Sequence, residues 1–344
     1  MAAKSENKEK QQIIETAEAF FGQPLKGISA PGGESRSSFR LDIAGRSVIA
    51  TLRPNFRRTH LEAYVLKELG AHCDDLPECL GVSGEVMFQA DVGSRRLNVH
   101  IATLDTAGQL DMSAQAISAL FRIHAAARKT SLHEIMPHLG ATEEWVRSFI
   151  GGIDNLTELT GGISRSFDRD AACAAVAITG QQFVKWDCRS GNAAVGDDDR
   201  LRWFDFEYAG MRHGAEDFAW LLGDEAWPVT PDRMIDVMID CYDTGSGIPM
   251  DEYLHYLAIY MTFHATQRLN LAMREANKRG WASQRHIRKY DDAGRNPEFA
   301  AHIAEVAAYF SDQTTLTAPL TRNLLAARDH FAAIAQQEAA KKRA

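Results

Sequence analysis

The stretch QQFVKWDCRSGNAAVGDDDRLRWFDFEYAG, residues 181–210, decides the fold prediction. Two β-like pieces flank a glycine-aspartate turn, which predicts a short hairpin inside a region that is otherwise mostly helical. Asp187, Asn192 and Asp205 follow one another at the spacing D-x4-N-x12-D, with apolar strand residues beside both ends. A hairpin brings these three side chains to the same end, so we expect them to face one cleft.

These three side chains have the chemistry that phosphoryl transfer requires. The reaction needs one carboxylate near the attacking hydroxyl, and an amide oxygen and a second carboxylate that hold magnesium against nucleotide phosphates. Asp and Asn are also common turn residues, so the spacing alone is weak evidence. It gains weight from the patterns before and after it.

The first ninety or so residues predict a small α+β unit. A short helix over residues 13–22 ends at Gly22, and two alternating runs joined at Ala44 and Gly45 predict a β-hairpin. A second helix over residues 59–72 has Gly70 as its stop, and strand follows to Gly93. From Ser113 onward the pattern is mainly helical.

Composition excludes several classes of protein. The chain has 344 residues, 45% of them hydrophobic, and no apolar run long enough for a membrane helix, so we expect about two domains and no membrane partner. Its net charge of −8 argues against nucleic acid and mildly favours a cationic or neutral substrate. Five scattered cysteines and a polar start favour a cytoplasmic location.

The segments KWDCRSGN (185–192) and FDFEYAG (204–210) together resemble the catalytic and metal loops of the aminoglycoside phosphotransferase and choline kinase superfamily. The resemblance implies a bilobal protein-kinase-like fold of the α+β class, with a small β-rich N-lobe and a large, mainly helical C-lobe. The lobes would span residues 1–92 and 93–344. ATP and Mg²⁺ are the implied cofactors, and the implied acceptor is a small hydroxylated molecule.

The resemblance also assigns roles in the C-lobe. Asp187 would be the catalytic base, Asn192 and Asp205 the magnesium ligands, and Asp217 a buried aspartate that braces the catalytic loop. Arg189 stands where protein kinases place a Lys that neutralises the γ-phosphate. Glu207 and Tyr208, in the sequence DFEY typical of choline and ethanolamine kinases, would lie near the substrate.

In the N-lobe, the segment PGGESRSSF (31–39) resembles the turn that covers the nucleotide phosphates. Arg53 occupies the strand position that contacts the α and β phosphates, and Glu62 on the next helix is its expected ion-pair partner, although the stretch between them is shorter than usual. The hinge that receives adenine would lie near Gln89 and Asp91. The residues of the turn assigned to the nucleotide are Gly33, Ser35, Ser37 and Ser38.

Three alternatives stay open. Two residues before the base, the family has a histidine that supports the loop, and this chain has Lys185 instead. Because this replacement could mark a loss of turnover, a pseudokinase that binds nucleotide without turnover is the rival interpretation. A cationic amino alcohol or aminoglycoside-like acceptor is the first expectation and a neutral sugar the second. Aromatic residues spaced three or four apart in residues 253–263 predict core packing rather than a cation-binding cage.

Overall fold

The computed structural model of the protein describes residues 2–31, 38–178 and 180–341. Its N-terminal part is a five-stranded antiparallel sheet with the spatial order β1-β2-β3-β5-β4. The strands are β1 Gly27–Ser29, β2 Ser38–Ile43, β3 Arg46–Leu52, β4 Cys79–Ser83 and β5 Val86–Ala90. The hairpin predicted at Ala44 and Gly45 is confirmed, and φ angles of 55° and 74° at these residues suit a tight two-residue turn.

Two helices accompany this sheet. The first, α1, spans Ala2–Phe21 and packs Ile13 and Ala17 into the apolar cluster of β2, β3 and β5. It begins about three turns earlier than predicted, because the polar residues before Ile13 are mostly good helix formers. The second, α2, spans Phe56–Gly70 and carries the buried Glu62.

The remainder of the chain is mainly helical, with two small antiparallel sheets of orders β6-β8-β9 and β10-β7. Its helices are α3 Leu97–His100, α4 Thr106–Ala127, α5 Leu132–Ile135, α6 Glu143–Gly151, α7 Thr157–Thr160, α8 Arg169–Val176, α9 Ala215–Leu222, α10 Pro231–Cys241, α11 Met250–Arg279, α12 Gln284–Tyr290, α13 Pro297–Ser311 and α14 Thr321–Lys341. Its strands are β6 Arg95–Arg96, β7 Gln182–Val184, β8 Ala193–Val195, β9 Leu201–Trp203 and β10 Gly210–Arg212.

The hairpin predicted within residues 181–210 is confirmed. Strands β8 and β9 pair with Ala193 opposite Trp203, and the Phe204 amide donates to the carbonyl of Asn192 over 2.9 Å. Strands β7 and β10 enclose this hairpin and pair with each other. The pairing therefore sets Asp205 one residue beyond the point where Phe204 meets Asn192.

Helix α11 passes through the centre of the helical part. It packs against α9 and α13, and its aromatic residues are at most 5% exposed, so the predicted core packing is confirmed. These residues are Tyr253, Tyr256, Tyr260 and Phe263.

One large apolar cluster includes residues of α2 as well as the helical part, and the domain boundary after residue 92 stays a prediction. Within the described ranges, no helix combines the length and apolar character needed to cross a membrane.

Candidate active site

The loop that follows β7 is held by a buried aspartate. Asp217, in the first turn of α9, accepts hydrogen bonds from the backbone amides of Lys185 and Trp186, both at 2.8 Å. The His124 ring nitrogen lies 2.8 Å from the same carboxylate. Trp186 and Asp187 have φ angles of 58° and 50°, a region that L-residues seldom adopt. Asp217 therefore anchors a strained turn, in the position that the resemblance implied.

The buried side chain of Lys185 contacts the backbone of the same loop. Its side chain is fully buried, and Nζ lies 3.2 Å from the carbonyl oxygen of Asp187 and 3.5 Å from that of Trp186. The ammonium also sits 5.3 Å from the centroid of the Phe206 ring, within the range of a cation–π contact. The lysine thus supports the backbone of the loop at the position where the family has histidine.

The carboxylate of Asp187 is fixed by two side chains of its own loop. Arg189 Nε donates to one oxygen over 2.7 Å, and Asn192 Nδ2 lies 3.2 Å from the other. Burial opposes ionisation of Asp187, but the charge and hydrogen bond of Arg189, with the charges of Lys185 and Arg268, lower its pKa to about 2. Asp187 is therefore ionised at neutral pH, and its two neighbours fix the orientation of its carboxylate.

Two acidic residues that the sequence analysis did not assign complete this loop. Arg189 reaches Asp291, at the end of α12, with nitrogen–oxygen distances of 3.4 and 3.5 Å. The backbone amide and the hydroxyl of Ser190 donate to Asp224, the amide over 2.8 Å. Asp224 and Glu225 are the two charged residues in an otherwise apolar stretch, residues 218–229, which is the signal that could have found Asp224. Asp291 has no such signal.

Arg53 lies among three carboxylates. Its guanidinium contacts Glu62 at 2.6 Å, Asp205 at 2.6 Å and Glu207 at 2.9 Å. Burial would lower the pKa of Arg53, but these carboxylates outweigh it and raise that pKa above its ordinary value. The ion pair predicted between Arg53 and Glu62 is present despite their short separation. Glu62 also accepts the Phe206 amide over 2.9 Å, which ties α2 to the loop after β9.

Asn192 and Asp205 offer the oxygen ligands that magnesium prefers. The amide nitrogen of Asn192 donates to Asp187, which leaves its oxygen as the coordinating atom, and Asp205 adds a carboxylate. Across the parts of the chain that the structure covers, no group of three or more His, Cys, Asp or Glu side chains is arranged for a metal. Two protein ligands fit Mg²⁺, because this ion commonly takes its other ligands from phosphates and water.

The residues predicted near the substrate meet an arginine of α2. Arg58 donates to the hydroxyl of Tyr208 over 2.9 Å and lies 4.4 Å from the centre of its ring. Arg58 is also 3.6 Å from Glu207, whose pKa is raised by burial despite the nearby Arg53. Tyr208 and Glu207 are thus placed beside Arg53 and α2, and their contact with substrate stays a prediction.

The residues assigned to the nucleotide are only partly described. Gly33, Ser35 and Ser37 lie outside the described residues. Ser38, the first residue of β2, has its hydroxyl 3.1 Å from that of Thr51 on β3. The role of this turn in covering phosphates stays a prediction.

Of the two residues predicted for the hinge, Asp91 has side-chain partners in the protein. Asp91 accepts from Arg40 Nε and from the Ser47 hydroxyl, both at 2.6 Å, and from the Gly93 amide at 3.1 Å. The Gln89 side chain is buried on β5, and its oxygen has no partner in the described ranges. The Asp91 carboxylate therefore fixes the hinge, while adenine binding at this segment stays a prediction.

A cavity of about 820 Å³ opens beside the catalytic loop. Trp186, the residue directly before Asp187, forms part of its wall together with four other aromatic side chains. These are Trp145, Phe149, Trp220 and Tyr260. The sequence analysis did not predict this cavity, because its aromatic residues come from four separate parts of the chain: α6, the loop after β7, α9 and α11.

An antiparallel sheet joined to a helical part, with a braced D-x4-N loop between β7 and β8, is the kinase-like fold that the sequence predicts. That prediction is confirmed by solved structures. A spectinomycin phosphotransferase, APH(9)-Ia, in complex with ADP and spectinomycin has a TM-score of 0.55 at 14% identity, covering 87% of this chain and 98% of its own. At such identity the similarity establishes the fold alone.

Two further structures have the same fold. An aminoglycoside 2′-phosphotransferase-IIIa mutant in complex with GDP gives a TM-score of 0.54 at 12% identity, covering 88% of this chain and 98% of its own. A choline/ethanolamine kinase family protein from Mesorhizobium loti gives 0.52 at 15% identity, covering 94% and 99%. No family model and no curated protein matches the sequence.

Proposed function

We propose that this protein is a phosphotransferase that moves the γ-phosphoryl group of magnesium ATP onto a hydroxyl group of a small molecule. The observation that carries the proposal is the Asp187 carboxylate, which Arg189 and Asn192 hold in place, while the pairing of Phe204 with Asn192 sets Asp205 beside the same loop. The fold supports it, since solved structures with this fold include phosphotransferases in complex with GDP or ADP.

In the proposed reaction, Asp187 orients the acceptor hydroxyl for in-line attack and takes its proton. The new bond joins the acceptor oxygen to the γ-phosphorus as the bond to the departing ADP oxygen breaks. A carboxylate with a pKa of about 2 is a weak base. That suffices in a loose transition state, where the nucleophile needs alignment more than early deprotonation.

The remaining roles follow from charge. Arg53 would bind the nucleotide phosphates in place of some of its carboxylate contacts, and Arg189 would offset negative charge near the attacking oxygen. Asn192 and Asp205 would hold Mg²⁺, which when bound neutralises phosphate charge. Glu62, Lys185 and Asp217 are positioning residues, because each acts through another group.

The test compares the wild-type protein with Asp187→Asn, which keeps the size of the side chain and removes its charge. Purified protein is incubated with magnesium ATP and a panel of hydroxylated acceptors, and both ADP and phosphorylated acceptor are measured. We expect transfer by the wild type and its loss in the variant. Thermal stabilisation by magnesium ATP without any transfer would instead favour the pseudokinase, and absence of both would defeat the proposal.

A further inference from the structure

We infer that the cavity beside Trp186 is the acceptor site, and that it selects a hydroxylated compound with a flat apolar framework and a negative charge. This inference rests on the proposed function and narrows its substrate class. It departs from the cationic amino alcohol or aminoglycoside-like acceptor that the sequence suggested first.

The cavity lies close enough to Asp187 to serve the reaction. Trp186 is covalently adjacent to Asp187, and both Arg268 and His264 line the cavity. A volume of about 820 Å³ suits a small organic molecule. A hydroxyl held at the Trp186 end of the cavity would therefore lie beside the loop that carries Asp187.

The aromatic wall offers flat surfaces. Trp145 and Phe149 stack with ring centres 4.9 Å apart, and Phe149 stacks on Tyr260 at the same distance. Trp186 lies 6.3 Å from Trp145 and 6.4 Å from Trp220. Such a wall favours a planar or apolar portion of the ligand.

Aromatic rings also attract cations, but here the protein's own arginines already engage them. Arg212 lies 4.8 Å from the centre of the Trp145 ring and 5.7 Å from that of Tyr260. Arg268 lies 5.7 Å from the Trp220 ring. Arg212 is fully buried and pairs with Glu216, so of these two arginines only Arg268 lines the cavity. An ammonium ligand at the Trp220 ring would lie near the Arg268 guanidinium, and the like charges would repel.

The polar part of the lining is basic. Arg268, Arg274 and Lys278 line the cavity, and no aspartate or glutamate does so among the residues that the structure describes. Two carboxylates outside the lining pair with these cations: Glu225 contacts Arg268 at 2.9 Å, and Glu275 lies 3.4 Å from Lys278 and 3.9 Å from Arg274. Because three cations exceed two carboxylates, this wall keeps a net positive charge. In a chain of net charge −8, a lining without carboxylates favours an anionic ligand.

The test uses two matched sets of acceptors that differ in charge. One set is benzyl alcohol, para-hydroxymethylbenzoate and para-aminomethylbenzyl alcohol, and the other is glucose, glucuronate and glucosamine. Binding to the full-length protein without nucleotide is measured by calorimetry, and transfer is then measured with magnesium ATP. We expect para-hydroxymethylbenzoate to bind about tenfold or more tightly than the amine, because a charge reversal replaces attraction by repulsion. Equal or tighter binding of the cationic members, or no difference in either set, overturns the inference.

A charge-reversed variant assigns the effect to this cavity. In Arg274→Glu/Lys278→Glu, both changed side chains are largely exposed, so the fold should survive. We expect the ratio of anion to amine affinity to fall about tenfold, since exposed charge pairs contribute modestly. Arg285→Glu/Arg322→Glu, which makes the same change in net charge at two exposed arginines of α12 and α14 outside the cavity, is the matched control and should leave the ratio unchanged. An equal fall in the control, or no fall in the cavity variant, contradicts the assignment.

The two proposals fail in different ways. Efficient transfer to a cationic acceptor overturns the inference and leaves the proposed function intact. A charge preference in nucleotide-free binding, combined with no effect of magnesium ATP, supports the cavity assignment and defeats the proposed reaction.

Discussion

The two sides of the catalytic loop have opposite electrostatic character. On the side of α2, one arginine, Arg53, is surrounded by Glu62, Asp205 and Glu207 within 2.9 Å. On the side of α11, the cavity beside Trp186 has basic groups and aromatic rings and no described carboxylate in its lining. The first arrangement suits a magnesium nucleotide, in which cations bridge protein carboxylates and phosphates. The second suits a negatively charged acceptor. We expect these two sides to respond differently to substitution.

The largest effect should come from the residue between the two sides. Asp187→Asn removes the charge that orients the hydroxyl, and we expect kcat to fall by about 10²- to 10⁴-fold, the usual contribution of a general base. Thermal stabilisation by magnesium ATP should persist, because Asp205 and Arg53 are unchanged. Stopped transfer assays measure the rate, and Asp329→Asn, an exposed carboxylate on α14, is the control. Full activity in Asp187→Asn would remove Asp187 from the reaction.

The next largest effect should come from Asp217, the buried carboxylate that holds the catalytic loop between the two sides. Asp217→Ala leaves two buried backbone amides and the His124 ring nitrogen without their acceptor. Breaking such a buried network costs about 3–5 kcal/mol of unfolding free energy, and the strained turn at Trp186 and Asp187 loses its support. Urea denaturation measures the loss, and transfer should fall with it.

Asp217→Asn keeps one acceptor oxygen and gives a control for this anchor. We expect it to recover part of the stability and only part of the activity, since one amide remains unpaired. Equal stability of the alanine variant and the wild type would show that the loop does not depend on Asp217.

The difference between the two sides also explains which features the sequence could predict. Asp187, Asn192, Asp205 and Arg53 lie at fixed distances from strands and turns, so local spacing locates them. Their function rests on the resemblance, but their convergence follows from a hairpin that the alternating pattern predicts. The fold class was accessible for the same reason.

The acceptor side could not be predicted in this way. Tyr260 and His264 lie on α11 with the spacing of core residues, and Tyr260 is indeed buried as well as part of the cavity wall. The pairing of Glu225 with Arg268 joins residues 43 positions apart, with no local pattern to connect them. Helix packing decides such contacts, and a single sequence carries little information about it.

A third prediction weakens the side of α2 without touching the acceptor cavity. In Arg53→Lys, a single ammonium cannot reproduce the contacts of the guanidinium with three carboxylates. We expect the Kd for magnesium ATP to rise about tenfold, as for the loss of a charge-assisted hydrogen bond, and acceptor binding without nucleotide to stay unchanged. Calorimetry with each ligand measures both. A matched change, Arg58→Lys on α2, should have a smaller effect, because the Arg58 side chain is more exposed than that of Arg53 and contacts Glu207 at 3.6 Å.

The smallest expected effect is on the pH dependence of transfer, which tests the charge of Asp187 directly. Its pKa is about 2 in the folded protein and 3.8 ordinarily, so the ionised form stabilises the fold above the higher value and this contribution is lost as pH falls toward the lower. We therefore expect no loss of transfer from protonation of Asp187 between neutral pH and about pH 5. Burial raises the pKa of Asp187 and Arg189 is the main cause that lowers it. In Arg189→Gln the acid limb of the pH–rate profile should accordingly move to higher pH, and an acid limb unchanged from the wild type would mean that Arg189 does not hold the charge of Asp187.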